Sequence, residues 1–319
     1  MPTKEKILSL LEKNRSRDLS GTELARSLGV TRAAVWKAVR ALEREGHLIE
    51  AAPNRGYRLA ADSGVFTAQA VGALLPDGLA AVHVYPSLDS TNNKAKELAA
   101  RDCPHGTAVF ALTQTGGRGR YGRTFFSPPG GLYMSVVLRG AGLVGGSSPP
   151  TVTAAAAVAV CRAVGAVTGM EAQIKWINDV QVHGKKVCGI LCEAVTGLES
   201  GGAEWVVVGM GVNLCREGIP EELRPVAAAL YERDPGAGMR ARLAAEILQN
   251  LLPEPPSGEP LLNEYRRRLS TLGREVTVHA PDGVYEAVAE GLDEQFRLVV
   301  RLPDGSRRPL SSGEVSVKQ

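Results

Sequence analysis

The chain has 319 residues, of which 44% are hydrophobic and 22% are charged, and its formal net charge is +3. This composition is typical of a globular protein of two or three domains, and it excludes a wholly disordered chain. No secretory signal or long uninterrupted apolar span is visible, and the cysteines, odd in number, lack a zinc spacing. We therefore expect a cytoplasmic protein with reduced thiols and no membrane partner.

Positive charge is concentrated in the first sixty residues, which hold twelve lysines and arginines against seven acidic residues. An amphipathic pattern near the amino terminus predicts one helix, and Thr22–Leu28 predicts a second, which Gly29 ends in a left-handed conformation. Thr31 is suited to cap a third helix. Ala25, Gly29 and Val35 have the spacing of the small contact residue, the turn glycine and the buried residue of a helix-turn-helix.

A strand, a turn at Pro53–Gly56 and a second strand follow the third helix, and together they predict a winged helix-turn-helix. In such a module the helix that begins at Thr31 enters the major groove, and a basic residue at the wing tip meets phosphate. The alternative is that these charges form only a solvated helix face. The predicted contacts to operator DNA are Thr31, Arg32, Lys37, Arg40 and Arg55.

The central part of the chain mixes strand and helix patterns, which indicates an α+β domain built on a mixed sheet. The predicted strands are Ala80–Tyr85, Thr107–Thr113, Leu132–Leu138, Ala172–Lys175, Lys186–Glu193 and Trp205–Met210. The predicted helices are Thr91–Arg101, Pro150–Val167, Glu221–Arg233, Met239–Leu252 and Leu261–Thr271. Short strands separated by Pro-Asp-Gly turns then indicate a small β-barrel, so the predicted domains are 1–62, 63–270 and 271–319.

The segment TQTGGRGRYGRTFFSP, residues 113–128, lies between two predicted strands. Its glycines let backbone N–H groups approach an anion, and its arginines add donors that match carboxylate or phosphate. It lacks the lysine of a P-loop, and no helix follows it as in a dinucleotide-binding fingerprint. A disordered RNA-binding Arg-Gly segment is the alternative, but the position between strands favours an ordered site for an anionic ligand.

Other segments place polar groups at the ends of elements. Asp89 or Ser90 caps the helix that begins near Thr91. KWIND ends a strand with a cation and a carboxylate close together, although a plain structural turn is an equal alternative for its last two residues. His183-Gly184 forms the turn of a predicted hairpin, and VVVGMGVNL ends an apolar strand in glycines, where backbone can meet a ligand.

In this order, behind a winged helix-turn-helix, the motifs QTGGRGRYGRTFFSP, DSTN, KWIND, GKKVCGIL and VGMGVNL resemble the bacterial biotin–protein ligases that also repress the biotin operon. The resemblance covers nearly the whole chain. It implies a catalytic domain of the biotin/lipoate ligase type and a carboxy-terminal SH3-like β-barrel. It also implies that biotin and Mg²⁺-ATP form biotinyl-5′-AMP, that biotin passes to a lysine of a biotin carboxyl carrier protein, and that a homodimer binds operator DNA.

The resemblance assigns site residues position by position. The biotin-binding set that it implies is Ser90, Thr91, Asn92, Gln114, Gly117, Arg118, Arg120 and Lys186. The nucleotide-binding set is Lys175, Trp176, Asn178, Asp179, Gly209 and Asn213. The catalytic set is Arg118, Arg120 and Lys186, which offset negative charge, and Asp179, which orients or deprotonates the acceptor lysine; metal ligands are not assigned.

Several readings stay open at this stage. One is a ligand-responsive repressor without ligase activity, and another is a lipoate or octanoate transferase, which shares the architecture of the central domain. The family often has proline where this chain has Ile177, which leaves the conformation of that turn open. We also expect Arg118→Gly to release the adenylate, and ordering of the loop Gly116–Gly122 to alter a nearby dimer surface.

Overall fold

The computed structural model describes residues 1–52, 55–60, 63–139, 149–196, 203–252, 258–280, 283–311 and 313–317. Its amino-terminal module comprises helices α1 (Thr3–Lys13), α2 (Gly21–Leu28) and α3 (Arg32–Arg44) and a hairpin of β1 (Ile49–Ala52) and β2 (Gly56–Leu59). Residues 53 and 54, part of the predicted wing turn, lie outside the described residues. The predicted winged helix-turn-helix is confirmed.

Local chemistry sets the turn between α2 and α3. Gly29 adopts a left-handed conformation with φ 64°, and its N–H donates to the carbonyl of Arg26. Thr31 then caps α3, because its hydroxyl accepts the N–H of Ala34 at 3.1 Å. The side chain of Val35 is buried beneath this turn with 1% of its surface exposed. The two helices are thereby held at the angle that leaves one face of α3 open to solvent.

The central domain is built on a seven-stranded mixed sheet. Its strands are β3 (Val82–Tyr85), β4 (Thr107–Ala111), β5 (Leu132–Arg139), β6 (Gln173–Lys175), β7 (Asp179–Val182), β8 (Lys185–Thr196) and β9 (Ala203–Val212). Their order is β3-β4-β5-β9-β8-β7-β6; β3 and β4 pair in parallel, and the other neighbours are antiparallel. The turn between β7 and β8 is made by His183 (φ 51°) and Gly184 (φ 74°), as predicted.

Helices cover both faces of this sheet. The described helices of the domain are α4 (Ala68–Gly72), α5 (Thr91–Ala100), α6 (Pro149–Thr168), α7 (Gly236–Leu251) and α8 (Gly258–Arg268). On one face, Ala95 and Ala99 of α5 pack against Val109, Val137 and Val207. On the other face, α6 and α7 form the main core with the remaining apolar side of the strands.

Helix α6 corrects one expectation from the sequence. Residues 150–168 are long and apolar enough to cross a membrane, whereas no apolar span of this length was expected from the sequence. Of the apolar 18-residue window in this helix, 67% is buried inside the fold. Its apolar composition is accounted for by its place between the sheet, α7 and α8.

The predicted helix Glu221–Arg233 is wrong. Only the 3₁₀ turn Glu221–Leu223 is helical, and the chain then runs beside the sheet. The N–H of Lys186 donates to Val226 (3.0 Å), and the N–H of Ala228 donates to Lys186 (2.8 Å). Pro225 lacks an N–H for a helix, and the ends of β8 and β9 supply the backbone partners that a helix would otherwise have provided.

The carboxy-terminal domain is a five-stranded antiparallel sheet, as expected for the predicted barrel. It contains β10 (Glu275–Ala280), β11 (Gly283–Leu292), β12 (Leu298–Arg301), β13 (Arg307–Leu310) and β14 (Glu314–Val317), in the order β13-β12-β11-β10-β14. It shares one core with the central domain. The ring of Tyr265 meets Phe296 edge-on at 5.7 Å, and the indole N–H of Trp176 donates to the carbonyl of Phe296 at 3.0 Å.

The predicted domain boundaries remain predictions. Residues 61, 62, 253–257, 281, 282 and 312, which include parts of the predicted linker and turns, lie outside the described residues. Ser63 belongs to the amino-terminal module by contact, because its hydroxyl accepts the N–H of Leu48 at 3.1 Å, whereas Phe66 packs in the main core.

All five cysteines carry free thiols, and burial raises the pKa of Cys161 to about 12.

Candidate active site

One pocket opens on the α5 face of the sheet, between β8, β9, the segment Gly116–Thr124 and the carboxy-terminal domain. We call that segment the glycine–arginine loop. All the residues predicted to bind biotin or nucleotide line this pocket, except Gly117 and Asn213. The lining residues among them are Ser90, Thr91, Asn92, Gln114, Arg118, Arg120, Lys175, Trp176, Asn178, Asp179, Lys186 and Gly209. Segments far apart in the sequence therefore meet at one site.

The glycine–arginine loop is ordered by its own backbone. The N–H of Phe125 donates to Gly117 (2.9 Å), and the N–H of Gly119 donates to Arg123 (2.7 Å). A Cβ on Gly117 would lie 2.4 Å from the carbonyl oxygen of Phe125, so no other residue fits there without movement. Gly117 thus shapes the loop from behind the pocket wall. The loop is a folded structure, unlike the disordered Arg-Gly segment that the sequence left as an alternative.

Glycines in β9 leave space at the base of the pocket, because they lack a Cβ atom. A Cβ on Gly209 would lie 2.1 Å from Oδ1 of Asn92, and a Cβ on Gly211 would lie 2.4 Å from the ring of Phe125. Both glycines follow Val207 at alternate positions and so face α5, as the strand period requires. Asn213, two residues further along, donates to the carbonyl of Ala228 at 3.2 Å and lines an adjoining groove instead of the pocket.

We expect Gly209→Ala to damage the site without unfolding the chain. The added methyl group must displace the side chain of Asn92, which costs roughly 1–3 kcal/mol. The KM for the ligand held by this side of the pocket should rise about tenfold or more. Gly238→Ala in α7 is the matched control, because a Cβ there meets no atom within 4 Å. If both variants keep wild-type KM values, Asn92 has no place in binding.

A neutral hydrogen-bond network lies at the α5 end of the pocket. The N–H and hydroxyl of Thr91 donate to Oε1 of Gln114 (2.8 and 3.1 Å), and Nε2 of Gln114 donates to Ser127 (2.9 Å). The hydroxyl of Ser135 donates to Oδ1 of Asn92 at 2.6 Å. Ser90, Thr91 and Asn92 are buried at the start of α5. This end offers uncharged donors and acceptors, which suits a polar but neutral ring.

Ser135 was not identified from the sequence, because a serine inside a strand has no motif of its own. Glu193 was missed for the same reason. Its carboxylate accepts from Asn92 (2.7 Å) and Lys96 (2.9 Å) and lies 3.7 Å from the guanidinium of Arg118. Burial raises the pKa of Glu193, but the hydrogen bonds from Lys96 and Asn92 outweigh burial, so its pKa lies below the ordinary value.

Cationic groups line the middle of the pocket. Arg118 donates to Oδ1 of Asn93 at 2.5 Å, so its side chain reaches back to α5. Arg120 extends the other way, to Oδ1 of Asn178 at 3.2 Å in the turn between β6 and β7. In the same pocket the Nζ of Lys186 lies 2.6 Å from Oδ1 of Asp179. The pocket therefore presents positive charge between a neutral end and the Asn178–Asp179 turn. The Trp176–Ile177 peptide bond, which leads into that turn, is cis.

The carboxy-terminal domain closes one side of the pocket. Arg123 of the loop makes two hydrogen bonds to the carboxylate of Glu314 (2.8 and 2.5 Å), and the N–H of Gly313 donates to the hydroxyl of Tyr121 (3.0 Å). The hydrogen bond from Arg123 holds the pKa of Glu314 below its ordinary value. These contacts join residues about 190 positions apart, which no local sequence pattern indicates.

The predicted DNA-contacting residues lie on the surface of the amino-terminal module. Thr31, Arg32, Lys37, Arg40 and Arg55 are all exposed. Arg40 is partly engaged within the protein, because its guanidinium donates to Glu43 at 2.9 Å. The exposed side of α3 is thus basic, and the opposite side packs in the module's own core. This geometry suits insertion of α3 into a DNA groove.

Comparison with known proteins agrees with each part of this architecture. A family model described as the Biotin/lipoate A/B protein ligase family matches residues 84–213. A model described as an HTH domain matches residues 3–58, and one described as the Biotin protein ligase C terminal domain matches residues 271–318. The three matches follow one another in the same order as the three structural units.

Similar whole proteins and solved structures are also found. The bifunctional ligase/repressor BirA of Bacillus spizizenii is 34% identical over 247 residues, which cover 76% of this chain and 75% of the relative. The bifunctional ligase/repressor BirA of Bacillus subtilis is 29% identical, with 96% of each chain covered. The biotin protein ligase of Aquifex aeolicus in complex with biotin and ATP has a TM-score of 0.61 at 28% identity, and the match covers 75% of this chain and 99% of that one. The chain therefore belongs to the biotin/lipoate A/B protein ligase family, with the amino-terminal helix-turn-helix of its bifunctional ligase/repressor members.

Proposed function

We propose that the pocket joins biotin to ATP, releases pyrophosphate, and passes biotin from biotinyl-5′-AMP to a lysine of a biotin carboxyl carrier protein. The amino-terminal module binds operator DNA and represses transcription. Family membership supports both activities. The observation that carries the assignment is that Arg118, Lys186 and Arg120 line one pocket together with a neutral hydrogen-bonding network and the Asn178–Asp179 turn.

Each end of the pocket suits one substrate. The neutral network of Thr91, Gln114 and Ser135 matches the uncharged ureido ring of biotin, which both donates and accepts hydrogen bonds. The turn with Asn178 and Asp179 is placed to meet the nucleotide. The two anionic reacting groups, the biotin carboxylate and the α-phosphate, would then meet beside the cationic groups.

The first step is an attack of the biotin carboxylate oxygen on the α-phosphorus of ATP. The new O–P bond forms as the bond to the pyrophosphate oxygen breaks, and the pyrophosphate leaves with that electron pair. Both reactants are anions, so Arg118, Arg120 and Lys186 lower their mutual repulsion and stabilise the charge of the transition state. No protein nucleophile takes part, and positioning of the two substrates supplies much of the rate.

Asp179 fits a magnesium ion carried by the phosphates of ATP. Its Oδ1 is buried and takes no hydrogen bond of ordinary geometry, although it lies 2.6 Å from the Nζ of Lys186. Mg²⁺ in nucleotide sites is commonly bound by one or two carboxylates together with phosphate oxygens. When bound, the ion offsets phosphate charge. Among the described residues, no cluster of three or more histidine, cysteine or acidic side chains forms a separate metal site.

In the second step, the carrier lysine attacks the carbonyl carbon of the mixed anhydride, and AMP leaves with the bridging oxygen. The lysine must lose a proton, because its ordinary pKa is about 10.4. Asp179 is a pocket carboxylate beside Lys186, and we assign it the orientation or deprotonation of this amine. The pocket carboxylate of Glu314 is already held by Arg123, and Glu193, near Arg118, is already held by Asn92 and Lys96.

We expect Asp179→Asn to slow transfer more than adenylate formation. The asparagine keeps the size of the side chain but accepts protons poorly, so transfer should fall about 100-fold or more. Single-turnover reactions, started with biotin and Mg²⁺-ATP or with preformed adenylate and carrier, measure the two steps separately. Equal losses in both steps would show instead that Asp179 acts on nucleotide binding alone. Unchanged rates in both steps would remove it from the mechanism.

The function as a whole is tested with the full chain, biotin, Mg²⁺-ATP and a carrier domain. Mass spectrometry should show one biotin on one carrier lysine, and pyrophosphate should appear in proportion. Lipoate in place of biotin should give no product. Pyrophosphate release with lipoate but not biotin would favour a lipoate transferase. Biotin binding without pyrophosphate release would leave a repressor that lacks ligase activity.

Repression is proposed to involve two copies of the chain on one operator. Ligand binding further restricts the glycine–arginine loop, whose glycines lose conformational freedom when its arginines contact the ligand, and a dimer surface near the loop changes as a result. Two amino-terminal modules would then contact two halves of the operator. Sedimentation of the chain with and without biotin and Mg²⁺-ATP tests this: an unchanged mass would contradict it.

A further inference from the structure

Trp36 lies on the exposed face of α3. All three tryptophans are in the described part of the chain, and two of them are buried: Trp176 is 4% exposed and Trp205 is 7% exposed. Trp36 is 53% exposed. The other exposed residues on this face are Arg32, Ala33, Lys37, Arg40 and Arg44. A large aromatic ring thus lies on an otherwise basic or small surface.

The fold of the module does not depend on this ring. Val35, Ala38, Val39 and Leu42 form the buried side of α3, and they close the core with α1 and α2. Trp36 is next to Val35 in sequence and therefore points about a quarter-turn away from that buried side. A half-exposed indole leaves apolar surface in water, which is unfavourable unless a partner covers it.

The ring is held in place by its neighbours on the helix. The guanidinium of Arg40 lies 5.7 Å from the centre of the Trp36 ring, within the range of a cation–π contact. Arg40 is itself bonded to Glu43 at 2.9 Å. On a helix, side chains lean toward the amino-terminal end, so the indole leans toward the end of α3 that Thr31 caps. In helix-turn-helix modules, that end contacts base edges.

We propose that Trp36 reads thymine in the operator, with its indole packed against the C5 methyl group in the major groove. The inference rests on the proposed DNA-binding function. Thymine is the base that presents a methyl group there, and apolar side chains contact it. The flanking Arg32 and Lys37 are suited to phosphates. Trp36 would then determine sequence preference, and Lys37 would supply salt-dependent affinity.

The surrounding charge favours DNA over a protein as the partner of this ring. The first sixty residues carry twelve basic residues against seven acidic ones, and the exposed face of α3 contributes four of the basic residues. A polyanion neutralises such a surface and gains affinity from the release of its counterions. The major groove also matches a single helix in width.

The test begins with selection from a pool of random duplexes by the full chain in the presence of biotin and Mg²⁺-ATP. Each thymine of the selected duplex is then replaced by deoxyuridine, which removes only the methyl group. At one or more positions, this change should weaken wild-type binding about 5- to 50-fold. The same change should have no effect on Trp36→Ala at those positions, because the contact is already lost.

Two control variants separate this role from general damage. Lys37→Ala should bind more weakly to every duplex. The slope of log K against log salt concentration should be smaller in magnitude by about 0.9 for this variant, whereas Trp36→Ala should keep the wild-type slope. Trp36→Phe should restore part of the methyl preference. Adenylate formation should be unchanged in Trp36→Ala, because the ring is remote from the catalytic pocket.

The outcomes distinguish this inference from the proposed function. If the wild-type chain enriches no sequence, the DNA-binding proposal itself fails, and the inference falls with it. If the wild-type chain selects a sequence but deoxyuridine weakens both proteins equally, Trp36 does not read the methyl group. If Trp36→Ala binds DNA normally but changes the self-association of the chain, the ring is a protein contact and the inference is wrong.

Discussion

Arg120→Gly is expected to release the activated intermediate into solution. The Arg120 guanidinium joins the glycine–arginine loop to Asn178 at 3.2 Å, and it also donates to Tyr121 at 3.1 Å. It therefore connects the loop to the nucleotide end of the pocket. A hydrogen bond from a charged group contributes about 1.5–3 kcal/mol, so its loss should raise the rate of adenylate escape about 10- to 150-fold.

Escape is measured in two ways. The half-life of the complex with radiolabelled biotinyl-5′-AMP is followed after dilution into unlabelled ligand, and biotin on an added bystander protein is counted by mass spectrometry. Arg101→Gly is the matched control, because Arg101 lies at the end of α5 and pairs with Glu97 on the protein surface. A half-life for Arg120→Gly equal to that of the control would contradict this role.

The sequence alone pointed to Arg118 for retention of the adenylate. In the structure, Arg118 donates to Asn93 and lies near Glu193, so it extends toward α5 and the neutral end of the pocket. The prediction for Arg118→Gly remains, and we expect the variant to affect binding of biotin more than closure over the nucleotide. Measuring both variants side by side separates the roles of two arginines that are only two residues apart.

Lys186→Met is expected to abolish most adenylate formation. Methionine keeps much of the length of the side chain but removes the ammonium group that lies beside Asp179 in the centre of the pocket. Loss of one group that stabilises charge in a transition state typically lowers kcat about 100- to 1,000-fold. The variant also removes a positive charge that attracts the phosphates of ATP, so the KM for Mg²⁺-ATP should rise as well. Pyrophosphate release under saturating biotin measures both changes.

Lys185→Met is a closely matched control for this variant. Lys185 precedes Lys186 on β8, but its Nζ donates to the carbonyl of Arg224 at 3.1 Å, outside the pocket. Removal of either lysine changes the net charge of the chain equally. We expect Lys185→Met to stay within about threefold of wild-type kcat, because its contact is exposed. Similar losses in both variants would show that the effect arises from overall charge or from the fold of β8.

Local chemistry determined much of what could be predicted from the sequence. The cap at Thr31, the left-handed Gly29 and the turn at His183-Gly184 each depend on a few neighbouring residues and on the backbone angles that those residues favour. Gly209 and Gly211 of VVVGMGVNL line the pocket, because only a residue without Cβ allows Asn92 and Phe125 to lie so close. Such constraints act over short distances along the chain and therefore leave a visible pattern.

The tertiary structure decided the contacts that join distant segments. The chain beyond Leu223 was predicted as a helix, but Val226 and Ala228 find their backbone partners on Lys186, about forty residues away. Likewise, the partner of Arg123 is Glu314, on another domain. A polar group is satisfied by whichever partner the packed chain brings near, and that choice depends on the whole fold. The sequence by itself determined the three modules and the residue types of the site; only packing decided which charges face one another in it.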